Sequence, residues 1–126
     1  MKSIKILNSK IHGVVDYLFV LFLYTSPTIF GLQEKAELFT YLLGTIHLMV
    51  TFCTNFEYGM IRFIKFKHHG WIELIVSFAL VGVAFYLGEV ENELSRNFYF
   101  AVAILVFLTW LLSDYKSETE NDFYRY

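Results

Sequence analysis

Four stretches of this chain, 14–32, 38–56, 71–88 and 98–113, are apolar over lengths close to the roughly 20 residues that a helix needs to cross a hydrocarbon core about 30 Å thick. The last is short and needs its interfacial neighbours to complete a crossing. Period-2 alternation is absent and a chain of 126 residues is too short to close a membrane barrel, so backbone groups in lipid must be satisfied within each segment as helices. The expected fold is therefore all-α, a four-helix transmembrane bundle. Composition agrees: 56% of the residues are apolar, above the roughly 45–50% of a soluble domain, and the mean hydropathy is +0.49. The expected solvent, and first partner, is the lipid bilayer.

The connections are brief at 33–37 and 89–97 and longer at 57–70, which suits two tight helical hairpins in one membrane domain. The first hairpin is placed at 11–57 and the second at 68–115, followed by a polar, acidic tail at 116–126. Pro27 removes a helical N–H near the far end of the first span, where Thr25 and Ser26 can serve the orphaned carbonyl. A local kink or early unwinding is expected there. The basic start followed by an apolar run looks like a secretory leader, but Asp16 interrupts the run and no small-residue cleavage site follows. It reads as an uncleaved first span.

Orientation follows from the basic residues. Lys2, Lys5, Lys10, Arg62, Lys65, Lys67, Lys116 and Arg125 fall on one side of a four-span topology, and Lys35 and Arg96 on the other. This asymmetry places both termini and the middle connection in the cytoplasm. The segment 59–69 interleaves Met60, Ile61, Phe63, Ile64 and Phe66 with Arg62, Lys65 and Lys67, a pattern suited to the headgroup layer. The single cysteine, Cys53, allows no intrachain disulfide and reads as a small packing residue.

The first and third spans open alike, His12-Gly13-Val14-Val15-Asp16 against His69-Gly70-Trp71-Ile72-Glu73, both H-G-x-x-[D/E]. The second and fourth end alike, Thr54-Asn55-Phe56 against Ser113-Asp114-Tyr115. The chain thus reads as two copies of a hairpin in one membrane orientation, a parallel repeat about an axis along the bilayer normal. It gathers His12, Asp16, Asn55, His69, Glu73 and Asp114 at one depth on the cytoplasmic side. Charged groups in lipid are costly, so these should face the bundle interior. Stripes of Glu73, Ser77, Ala84 and Gly88 and of Gly44, His47, Thr51 and Asn55 have the small-and-polar character of helix contacts in membranes, and are expected to meet. The fourth span adds Trp110 and Asp114 with Ser113 beside them.

A histidine with a carboxylate four residues on puts both side chains on one helix face. The leading reading is a small structural or accessory membrane component whose polar cluster ties the spans together. The alternative is a divalent metal, Zn²⁺, Fe²⁺ or Mn²⁺, held by His12, Asp16, His69 and Glu73, because imidazole and carboxylate suit those ions. A proton or ion relay through the cluster and His47 is a third reading. A bis-histidine haem would need a second histidine at the depth of His47, where the repeat puts Val106. No spacing supports Ser/His/Asp or Cys/His catalysis, and nothing points to nucleic acid. Four short helices bury limited surface, so a homo-oligomer or a larger membrane complex is a further expectation.

The run 11–32, with His12-Gly13, Asp16-Tyr17, Ser26-Pro27 and Phe30-Gly31, resembles the SPW-repeat family of small bacterial membrane proteins. The resemblance implies two repeats, each a pair of membrane helices, in the bacterial inner membrane. It departs at Thr28, where the family has tryptophan, and the second hairpin has no Ser-Pro. It lends an architecture and no mechanism.

Overall fold

The computed structural model describes residues 5–115; the tail expected at 116–126 lies outside the described residues. Four helices follow in chain order: α1 Ser9–Phe30, α2 Glu34–Phe52, α3 Phe66–Val90 and α4 Glu93–Leu112. They pair as two hairpins, with the most extensive packing between α1 and α2 and between α3 and α4. Residue counts of 22, 19, 25 and 20 correspond to roughly 28 to 38 Å of helix at ~1.5 Å per residue. Three of them, α1, α3 and α4, are long and apolar enough to span a membrane. Helix α2 is less apolar because it carries Glu34, Lys35, Glu37 and His47 among its 19 residues.

The helices start and stop where caps, not hydropathy, dictate. α1 begins five residues before the apolar run because the Asn8 side chain accepts from the Ile11 N–H at 2.9 Å, and Asn92 does the same for Ser95 at the start of α4. Both termini of the first hairpin turn are also satisfied. Gly31 adopts φ 63° and its N–H returns to Pro27 O, a left-handed cap open to glycine. The Glu91 carboxylate then accepts from Lys35 and Ala36 N–H at 2.6 and 2.9 Å, closing the N-terminus of α2 from the other hairpin. Pro27 does not unwind α1, which runs on to Phe30. Ser26 donates to Leu23 O, the carbonyl that Pro27 leaves without its N–H, whereas Thr25 serves Leu21 and Phe22.

The second span is shorter at its end than its apolar run because Thr54 and Asn55 leave the helix for β1. They pair in parallel with β2, Ile64–Lys65, immediately before α3. At the opposite seam Leu7, just before α1, forms a parallel bridge with Ser113, just after α4, with Leu7 N–H to Leu112 O at 2.9 Å and Asp114 N–H to Leu7 O at 2.8 Å. Two short extended clasps therefore hold the same end of the bundle.

The core runs through Leu23, Leu80, Ala84, Leu87, Tyr99, Val102, Ala103 and Val106, while Leu18, Leu21, Ile29, Phe78, Phe85 and Ile104 are exposed on the outside. With three helices of membrane-spanning length, that outward apolar coat suits association with a membrane. In the connection, Met60, Ile61 and Phe63 are exposed beside Arg62, whereas Phe66 is fully buried.

Candidate metal centre

His12 and His69 are each the fourth residue of their helix, and Asp16 and Glu73 each the eighth. Equal positions on α1 and α3 bring the two pairs face to face. All four side chains are buried, from 0% exposure for the histidines to 4% for Glu73. His12 Nε2 lies 3.1 Å from both Asp16 Oδ2 and Glu73 Oε1, and His69 Nε2 lies 3.0 Å from the same two oxygens. Nitrogen and oxygen thus alternate around a ring, with two contacts inside helices and two across the hairpins. The four donor atoms all fall within 4.8 Å of one another.

The remaining ring nitrogens fix the tautomers. Thr54 Oγ1 donates its one proton to Val50 O at 2.6 Å, so its oxygen accepts from His69 Nδ1–H at 2.8 Å. Ser113 Oγ donates to Thr109 O and accepts from His12 Nδ1–H at 2.5 Å. Both histidines therefore carry a proton on Nδ1 and, when neutral, direct the Nε2 lone pair at the centre. A histidine anchored through its outer nitrogen is the arrangement in which protein metal sites hold their ligands.

The carboxylates are anchored from outside too. Tyr115 donates to Glu73 Oε2, and Thr51 reaches Asp16 Oδ2 at 3.4 Å. Burial and the Glu73 charge push the Tyr115 phenol well above its ordinary range, so it remains a donor. Its ring packs on Phe66 and His12, at centroid distances of 4.8 and 5.4 Å, and roofs the cluster at the clasped end.

With edges of 3.0 to 3.1 Å and a longest separation of 4.8 Å, the middle of the ring lies about 2.4 Å from its two farthest donors, so the ring would draw in by a few tenths of an ångström to reach the ~2.0–2.2 Å bonds of Zn²⁺ to imidazole and carboxylate. Two carboxylates and two neutral imidazoles carry a charge of −2, which one divalent ion neutralises in a place where net charge is expensive.

The other expected residues are placed differently. Asn55 is buried in β1 and Asp114 joins the Leu7 clasp through its backbone, so both flank the four-donor ring rather than complete it. His47 Nε2 stands 3.3 Å from Asp16 Oδ1, at a geometry that makes no hydrogen bond. The two small-residue stripes do not meet along their length: Gly44 packs on Leu23 and Tyr24 of α1, and Gly88 packs on Arg96 of α4. Sequence reasoning missed the roles of Thr54 and Ser113 as histidine anchors and of Tyr115 on Glu73. Their signal was the matched endings of the second and fourth spans, which placed a hydroxyl at the same point of each hairpin.

No protein-family model, curated protein or solved structure matches this chain.

Proposed function

We propose that this is a metal-binding membrane protein in which one divalent transition-metal ion, coordinated by His12, Asp16, His69 and Glu73, joins two transmembrane hairpins. The observation that carries the reading is the equidistance of the ring. Each Nε2 sits as close to the carboxylate of the other hairpin as to its own. Paired imidazolium–carboxylate contacts need one oxygen per nitrogen, whereas a shared central cation draws all four donors to one point. Thr54 and Ser113 support it by presenting both lone pairs inward. The donor set, two nitrogens and two oxygens, suits Zn²⁺ and Fe²⁺.

In this reading α2 also crosses, because it returns along α1, giving four spans. Lys5, Lys10, Arg62, Lys65 and Lys67 lie toward the clasped end, which supports a cytoplasmic orientation for it. The equivalent clasps and the equivalent histidine anchors fit two copies of one hairpin, the plan that the resemblance of the first hairpin to the SPW-repeat family implies.

The test is metal analysis of protein purified in detergent without chelator. We expect about one divalent transition ion per chain, lost in the His12→Ala/His69→Ala double variant. Wild-type protein that folds and resists unfolding with no bound metal, even after incubation with Zn²⁺ and Fe²⁺, would leave the cluster as an imidazolium–carboxylate tie between hairpins and end the metal reading.

A further inference from the structure

The four-donor ring is approached along both seams between the hairpins. Between α1 and α4 a cavity of about 10 Å³ touches Asp16, His47 and Glu73. Between α2 and α3 a second cavity of about 30 Å³ touches His47, His69 and Glu73, its other walls being Leu43, Ile46, Val50, Ile72, Val76 and Val106. His47 and Glu73 therefore border both spaces. The larger has room for one or two water-sized molecules.

His47 is the polar group that these cavities leave unexplained. Its Nε2 is buried 3.3 Å from Asp16 Oδ1, off the direction of a hydrogen bond. A buried nitrogen with no well-aligned hydrogen bond is costly, and such groups are normally satisfied by a bound molecule. The ring is held in place: Phe19 meets it edge-on at a centroid distance of 5.3 Å. Its centroid is 6.4 Å from that of His69. The His47 nitrogen lies outside the compact four-donor group, so it is placed to meet something bound to the ion rather than the ion itself.

We infer that the ion has a fifth position, open into the α2–α3 cavity, which takes water or a diatomic ligand hydrogen-bonded to His47 Nε2. This rests on the metal reading above and makes the centre a ligand-binding one rather than a closed structural site. Apolar walls and the cavity volume set the ligand class: small, compact and uncharged or singly charged, with one atom able to bond His47. Glu73 and His69 supply the metal-side wall, and Val76 with Val106 limit length.

The experiment uses the full chain in detergent, loaded anaerobically with Fe²⁺ and checked for metal content before nitric oxide is added. The probe fits the cavity, and its iron adduct has a distinctive electron paramagnetic resonance signal. Wild type is expected to give stoichiometric adduct. His47→Phe and Val76→Phe, which fill the cavity from opposite walls, are expected to keep the iron and to need at least tenfold more nitric oxide. If iron binds in full and nitric oxide leaves the spectrum unchanged, the fifth position does not exist while the metal reading stands. If neither Fe²⁺ nor Zn²⁺ binds, the metal reading itself fails at the first measurement, and if Zn²⁺ alone binds, the diatomic-ligand assignment is overturned while the metal reading stands. An adduct of undiminished affinity in both iron-loaded variants would put the ligand elsewhere and overturn the assignment to this cavity.

Discussion

At the scale of single residues the site depends on hydroxyls that touch neither carboxylate nor centre. Thr54 and Ser113 each turn their proton to a carbonyl one helical turn back, and so compel the histidine opposite to donate from Nδ1. Removing one leaves an imidazole free to rotate or to change tautomer. Thr54→Val, which keeps the shape, and Ser113→Ala should each weaken metal affinity about 10- to 100-fold, the usual effect of losing an outer partner. Competition against a chromophoric chelator measures it, and unchanged affinity in both variants would show that the histidines are oriented by packing alone. His12, Asp16, His69 and Glu73 were legible in the sequence because their spacing repeats within a helix. Their anchors were not, since Ser113 reaches His12 from 101 positions away and Thr54 reaches His69 across a turn. Periodicity reports the face of a helix and is silent about which neighbour that face meets.

The elements were legible as far as apolar length decides them. Four helices and two hairpins follow from the runs and their brief links, but the ends moved where Asn8, Asn92 and the β1–β2 pairing replaced hydropathy as the deciding force. The small-residue stripes of α2 and α3 suggested contact along their whole length. Instead Gly44 receives α1 and Gly88 receives α4, so each glycine serves its own hairpin, and the seam between hairpins keeps its cavities. Glycines therefore differ in what they allow. A Cβ at Gly13 would overlap the Phe56 and Tyr58 rings of the 53–65 connection, whereas one at Gly82 would meet nothing within 4 Å. Gly13→Ala should destabilise the protein by about 1–3 kcal/mol through overpacking. Gly82→Ala should be neutral or stabilising by up to ~1 kcal/mol through helix propensity. Thermal unfolding of both variants in one detergent checks the contrast, and equal midpoints would mean that the connection shifts freely away from α1.

For the whole molecule the question is what keeps two hairpins together when lipid, unlike water, does not drive apolar helices into each other. Packing is concentrated inside each hairpin, and between hairpins the described polar ties are few. They include the Leu7–Ser113 clasp, the Glu91 cap on α2, the Thr40–Tyr99 hydroxyl pair at 2.9 Å, the Ser113 and Thr54 anchors of His12 and His69, and the four-donor ring. Of these the ring alone concentrates ionisable groups in the interior, where its two buried carboxylates need positive charge beside them. An ion bound there stabilises the joined state by mass action, about 2.7 kcal/mol when its free concentration is 100 times its dissociation constant. The sign is fixed, because the separated hairpins offer two donors each and bind far more weakly. A strong chelator should therefore lower the unfolding temperature of wild type in detergent, and added Zn²⁺ or Fe²⁺ should restore it. The His12→Ala/His69→Ala variant should unfold at a temperature indifferent to both additions. A wild-type midpoint that ignores the chelator while metal analysis shows the ion removed would assign hairpin cohesion to the clasps and caps, and leave the ion with no part in holding the bundle closed.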